Sequence, residues 1–183
     1  MSEKKTHPIE IAGVHRELPL FKIKPGLRIA VLNILGDTEL TQACAKALAK
    51  QLKGREYDVL VTAEAKSIPL AYALSVETGK PYAIFRKSYK PYMGDALKAE
   101  TLSITTGAPQ TLYLDEKDLA LLKGKKVMIV DDVISTGSTL QGMRLIIEKA
   151  QGVVAGEVAI LTEGERAKWA DVLSLGHLPL FTD

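Results

Sequence analysis

Residues 127–139 read VMIVDDVISTGST, and no other stretch limits the chain as tightly. Four apolar residues give the run of a buried strand, and two adjacent carboxylates, Asp131 and Asp132, stand at its end. Neighbouring carboxylates repel, and a strand end is a costly place to bury them. Something cationic or rich in hydroxyls must therefore face the pair. Ser135, Thr136, Gly137, Ser138 and Thr139 follow as a small hydroxyl-rich turn, and TLQGMRLIIEKA (139–150) has the pattern of a helix. A helix amino terminus offers unpaired N–H groups and the positive end of its dipole, and Gly137 lets the backbone approach a ligand closely. The combination suits a phosphate monoester in the turn, with the hydroxyls of an attached ribose, and a nearby magnesium, facing Asp131 and Asp132. It is not a Walker loop, because the lysine required six positions after Gly137 is Met143. The Gly-x-Gly-x-x-Gly spacing is not met either.

Other segments supply a sheet around this strand. TELTQACAKALAKQL (38–52) places Leu40, Ala43, Cys44, Ala47, Leu48 and Leu52 on one face at helical spacing, with Asp37 or Thr38 as its cap. YDVLVT (57–62) reads as a buried strand and SIPLAYALSVET (67–78) as a helix ended by Gly79. PYAIFR (81–86), KKVMIV (125–130) and VVAGEVAIL (153–161) read as further strands. Short apolar strands alternating with helices predict an α/β fold around a parallel sheet. Between Lys87 and Thr101 the chain is polar and aperiodic, with Pro91 and Gly94, which predicts a functional loop. TLSITTGAPQTLYLD (101–115) then predicts two short strands joined by a Gly-Ala-Pro turn.

The 183 residues suffice for one domain with one substantial core. A net charge of +2 gives no field for wholesale nucleic-acid binding. The single cysteine, Cys44, reads as core filler. The amino terminus lacks a secretory signal, and no window approaches the ~18 apolar residues of a membrane span, so a cytoplasmic location is expected. His7, His15 and His177 have no ligand spacing.

In open parallel sheets, ligands gather outside the carboxyl ends of the strands. Glu64 and Lys66 follow the first predicted strand, Arg86 and Lys87 end the second, and Asp131 and Asp132 end the third. VMIVDDVISTGST resembles the 5-phosphoribosyl-1-pyrophosphate (PRPP) motif of type I phosphoribosyltransferases. The resemblance runs over about residues 25 to 163 and is strongest toward the adenine phosphoribosyltransferases. It implies their fold: a central parallel sheet flanked by helices, a flexible loop or hairpin, and a small hood. The hood would come from about residues 1–36 and the carboxyl-terminal end, all within one domain, 1–183.

By that resemblance, Asp131 and Asp132 hold the ribose, and Ser135, Thr136, Gly137, Ser138 and Thr139 the 5-phosphate. Glu64, Ala65, Lys66 and Ser67, with Arg86 and Lys87, bind pyrophosphate. Magnesium is the implied cofactor, carried mainly on PRPP, and a homodimer is the implied assembly, with neither nucleic acid nor membrane as a partner. The family's pyrophosphate loop commonly ends Glu-Ala-Arg-Gly, where this chain has Glu64-Ala65-Lys66-Ser67. Its Phe-Arg-Asp stretch near the base is replaced by Ile29, Ala30 and Val31. Its Ser-Leu-Glu-Tyr-Gly hairpin is matched by Ser103-Ile104-Thr105-Thr106-Gly107, so Thr105 stands where the family has its catalytic acid. The expected activity is phosphoribosyl transfer from PRPP to a purine, with adenine favoured. A different base or amine, or a non-catalytic PRPP- or nucleotide-binding regulator, stays open.

Overall fold

In the computed structural model, which describes residues 5–102 and 109–182, the chain begins with an antiparallel run. Its strands are β1 (Thr6–Ile11), β2 (Val14–Lys24) and β3 (Leu27–Ala30). Helix α1 (Thr38–Leu52) starts on Asp37, whose carboxylate accepts the Leu40 N–H at 3.1 Å. Arg16 of β2 grips the same carboxylate through two bonds of 2.8 Å, which ties the antiparallel strands to the helix start. Strand β4 (Val59–Ala63) leads to α2 (Ile68–Thr78), which ends at Gly79 with φ 68°, and then to β5 (Tyr82–Phe85). The hairpin of β6 (Leu97–Leu102) and β7 (Pro109–Leu114) is followed by the short α3 (Leu119–Leu122). Strand β8 (Lys126–Ile134), helix α4 (Ser138–Lys149) and strand β9 (Val153–Glu163) follow, the first two carrying the 127–139 motif. The chain closes with β10 (Leu173–Leu178) and β11 (Phe181–Thr182).

The central sheet is parallel throughout, in the order β10-β9-β8-β4-β5. Against one face pack α1, α2 and the antiparallel sheet β1-β2-β3-β11, around Leu48, Leu60, Leu74, Val130 and Ile160. Against the other lie α4 and the β6–β7 hairpin, around Val61, Ile129, Met143, Ile146 and Ala159. Each fully buried Leu or Ile side chain here contributes about 1.5–3 kcal/mol. Cys44 sits in the first of these cores, where burial pushes its thiol up to about 12, far from a reactive thiolate. Among the described residues no helix is long and apolar enough to cross a membrane.

The α/β expectation stands, with four differences. The strands β1, β2 and β3 were not expected from the sequence, and β10 was not placed in the sheet. The segment 87–101 is not loop throughout, because Pro91–Met93 forms a 3-10 turn and β6 begins at Leu97. Ala99 and Thr101 point inward while Lys98 and Glu100 are exposed, a period of two hidden by small inward residues. Gly142 of α4 makes room for the hairpin: a β-carbon there would meet Leu112 at 3.0 Å and Thr101 at 3.7 Å. Finally, β8 runs to Ile134, so Asp131 and Asp132 lie within the strand rather than beyond it.

Candidate active site

Strand β8 outruns one neighbour. Its pairing with β4 ends at Val61↔Ile129, whereas pairing with β9 continues to Ile134↔Thr162. Past Ile129, the β4 side of β8 therefore meets the 64–67 loop instead of a strand. The Glu64–Ala65 peptide in that loop is cis. Ser67 Oγ lies 2.7 Å from Asp131 Oδ1 and 3.1 Å from Asp132 Oδ1, and accepts the Asp132 N–H at 2.9 Å. Lys66 Nζ stands 3.0 Å from Asp132 Oδ2 and donates to the Leu32 carbonyl at 3.3 Å. That ion pair is close but off the line of a hydrogen bond, so the buried Oδ2 keeps a free acceptor site. Burial, and then the charge of Asp132, push the Asp131 carboxyl up to about 7, against the opposing pull of the Ser67 hydrogen bond.

The neighbouring strand ends form a second cluster. The Glu64 carboxylate accepts the Lys87 N–H at 2.9 Å and Arg86 Nε at 3.0 Å. These contacts, the backbone one first, hold Glu64 below the usual carboxylate range. Arg86 also reaches the Tyr92 hydroxyl at 3.4 Å, so its guanidinium is engaged within the protein. Glu64 thus fixes the two strand ends to each other, and the exposed Lys87 side chain is left facing solvent.

On the other side of the aspartates, Gly137 with φ 84° starts α4, and Thr136 Oγ1 lies 3.2 Å from Ser138 Oγ. Asp131, Ser135, Thr136, Gly137 and Thr139 line a small cavity of about 40 Å³. Sequence reasoning missed two residues here. The Trp169 ring covers the glycine, and Lys168 Nζ donates to the Thr136 carbonyl at 3.0 Å while lying 4.6 Å over the indole. Trp169 is held in turn by its Nε1, which donates to the Glu163 carbonyl at 3.1 Å. A lone Trp some thirty residues from the turn gives no local signal; only the parallel β8–β9 register brings the two together.

The remaining candidates divide simply. His177 Nε2 bonds the Gly164 carbonyl at 3.0 Å, and Nδ1 lies 2.9 Å from Thr162 Oγ1. A carbonyl only accepts, so this assigns the ring proton to Nε2 and makes His177 a fastener between β9 and β10. Thr105 lies outside the described residues. Among those described, no group of three or more His, Cys, Asp or Glu is arranged to hold a metal ion.

The geometry joins the hydroxyl-rich turn that starts α4, the paired carboxylates of Asp131 and Asp132, and the basic side chains of Lys66 and Lys87. A family model, the phosphoribosyl transferase domain, matches residues 31–168. The purine biosynthesis transcriptional repressor PurR of Bacillus subtilis is 31% identical over 144 residues, covering 79% of this chain and 50% of that protein. The chain thus spans about half the length of the purine regulators it matches. The adenine phosphoribosyltransferase of a Thermoanaerobacter species is 30% identical over 173 residues, covering 91% of this chain and 96% of that one. In fold, the chain is similar to the crystal structure of adenine phosphoribosyltransferase from Thermoanaerobacter pseudethanolicus, with a TM-score of 0.72 and 24% identity over 87% and 95% of the two chains. Because the matched span takes in the central strands β4, β5, β8 and β9, the paired aspartates and the 135–139 turn together, this chain belongs to the phosphoribosyl transferase domain family, in its type I form.

Proposed function

We propose that the chain is a transferase that moves the 5-phosphoribosyl group from PRPP to a ring nitrogen of a purine base. The observation that carries this reading is the Asp131–Asp132 pair standing between the phosphate turn and the Lys66 loop. A purine nitrogen forms a bond to the anomeric carbon of PRPP as the bond from that carbon to pyrophosphate breaks, and the nitrogen then loses its proton. The ribose carries positive charge along the way, so positioning and electrostatics do most of the work. Asp131 and Asp132 would hold the 2- and 3-hydroxyls and favour that charge. Ser135 to Thr139 would anchor the 5-phosphate, with Lys168 adding a cation beside the turn. Lys66 and Lys87 would meet the departing pyrophosphate, while Glu64 and Arg86 hold the strand ends in place.

Magnesium would arrive on PRPP and neutralise pyrophosphate charge. The two aspartates supply the hard oxygen donors such an ion uses, and the buried Asp132 Oδ2 without a hydrogen bond is compatible with it. In this reading residues 1–183 act as one domain, with β1–β3 and β11 as the hood over the base. The assembly is a homodimer in the cytoplasm. Adenine is the favoured base, in keeping with the relatives that carry that name. A second reading, a PRPP- or nucleotide-sensing regulator, is favoured by the similarity to PurR. Incubating the protein with PRPP, magnesium and adenine, hypoxanthine, guanine or xanthine decides between them. Pyrophosphate release with a purine supports the transferase; tight PRPP binding with no release for any base supports the regulator.

A further inference from the structure

The aspartates that would receive ribose are already engaged by the chain itself. Ser67 Oγ sits between Asp131 Oδ1 and Asp132 Oδ1 at 2.7 and 3.1 Å, and Lys66 Nζ stands at 3.0 Å from Asp132 Oδ2. A hydroxyl carries one proton, so Ser67 donates to only one of the two carboxylates at a time. Asp131 Oδ1 also accepts the Asp132 N–H at 2.9 Å. The pair is therefore held by a single O–H donor where a vicinal diol would bring two. The family's loop commonly ends in glycine at this position, which has no hydroxyl to place there.

We propose that Ser67 is a resident stand-in for the ribose hydroxyls: it occupies the paired carboxylates in the free chain, and a ribose 5-phosphate ligand must displace it. The inference rests on the reading of this site as a ribose-phosphate pocket. Binding then exchanges one internal donor for two from the sugar, and Ser67 sets the affinity by the bond that is lost. Lys66, tied to Leu32 and Asp132, holds the loop in this position. In the Ser67→Ala variant the free protein leaves the carboxylates short of a donor, and the bound state loses nothing.

Calorimetric titration with ribose 5-phosphate, 2-deoxyribose 5-phosphate and inorganic phosphate tests this on the parent, S67A and S67G. Losing one internal hydrogen bond in the free state should tighten ribose 5-phosphate binding about five- to tenfold in both variants. The gain should shrink for the 2-deoxy sugar and be absent for inorganic phosphate, which would occupy the 135–139 turn without reaching the carboxylates. The free variants should also unfold at lower temperature than the parent and recover more on adding ribose 5-phosphate. A structural role alone would lower stability without this ligand-selective gain. Unchanged or weaker ribose 5-phosphate binding in folded S67A overturns the inference, because Ser67 then stays on the aspartates in the complex. If S67A does not fold, the same comparison on S67G decides. Failure of the parent to bind ribose 5-phosphate or PRPP at all removes the site reading itself, a separate result from binding without the gain.

Discussion

Trp169 lies directly against Gly137: a β-carbon built on the glycine would stand 2.8 Å from Cη2 of the indole. The turn at 135–139 is thus roofed by a buried aromatic ring from beyond β9, and the ring is fixed by its bond to the Glu163 carbonyl. Gly137 is needed on two counts, its φ of 84° and the ring above it. The sequence motif alone suggests a different reason, crowding of the phosphate by a side chain.

Gly137→Val should therefore lose PRPP binding and also destabilise the free protein, by about 1–3 kcal/mol from backbone strain alone. Gly137→Ala separates the two causes. In the parent it meets both the ring and the strain; beside Trp169→Leu it meets mainly the strain. Thermal unfolding of the two singles and the double variant should show coupling of about 1 kcal/mol. Additive losses would mean that the indole yields freely and that φ is the whole requirement.

Asp131 gives a prediction in which stability and turnover move in opposite directions. Its carboxyl sits near 3.8 in the unfolded chain and is pushed up to about 7 in the fold by burial and by Asp132. The folded state therefore binds the proton more tightly, and stability falls as pH rises from about 4 through 7. Asp131→Asn removes that loss and keeps an acceptor for Ser67. It should unfold at a temperature about 2–4 °C higher than the parent at pH 8, for a gain of order 1 kcal/mol, and show little difference at pH 4. Turnover should drop by roughly 100-fold or more, since stabilisation of developing charge is worth about that much, and Asp132→Asn should lose a similar factor. Melting curves from pH 4 to 8 and steady-state assays check both halves. A lower melting temperature for Asp131→Asn at pH 8 would show that the ionised carboxylate is stabilising where it stands.

What the sequence revealed depended on how strongly each segment is buried. Strand β8 shows itself because both its faces are covered, so Val127 to Val130 form an unbroken apolar run. Helix α1 shows itself through the spacing of Leu40, Cys44, Leu48 and Leu52, all buried. Strands β1 and β2 have one partly covered face, where Ile9, Ile11, Val14, Leu18 and Leu20 alternate with His, Arg and Glu, and the signal is diluted. Strand β6 turns Ala99 and Thr101 fully inward, and small residues barely register as a pattern. The 135–139 turn and the aspartates are contiguous in sequence and could be found as a motif. The positions of Ser67 and Trp169 against them come from the β4–β8 pairing stopping at Ile129 and from the β8–β9 register, neither of which any local window contains.

Thr105 tests which base the chain serves. It occupies the family's acid position by sequence, and a threonine hydroxyl does not titrate near pH 7, so it shares no proton with a base efficiently. The chain should then have a lower kcat/KM for adenine than a relative that keeps the glutamate, and Thr105→Glu should raise it if the hairpin keeps its geometry. General acid catalysis contributes about 10²–10⁴-fold, so even partial recovery is measurable. Assays of parent and Thr105→Glu with adenine, hypoxanthine, guanine and xanthine give the comparison directly. Strong adenine turnover in the parent, unchanged or reduced in Thr105→Glu, would remove position 105 from the chemistry.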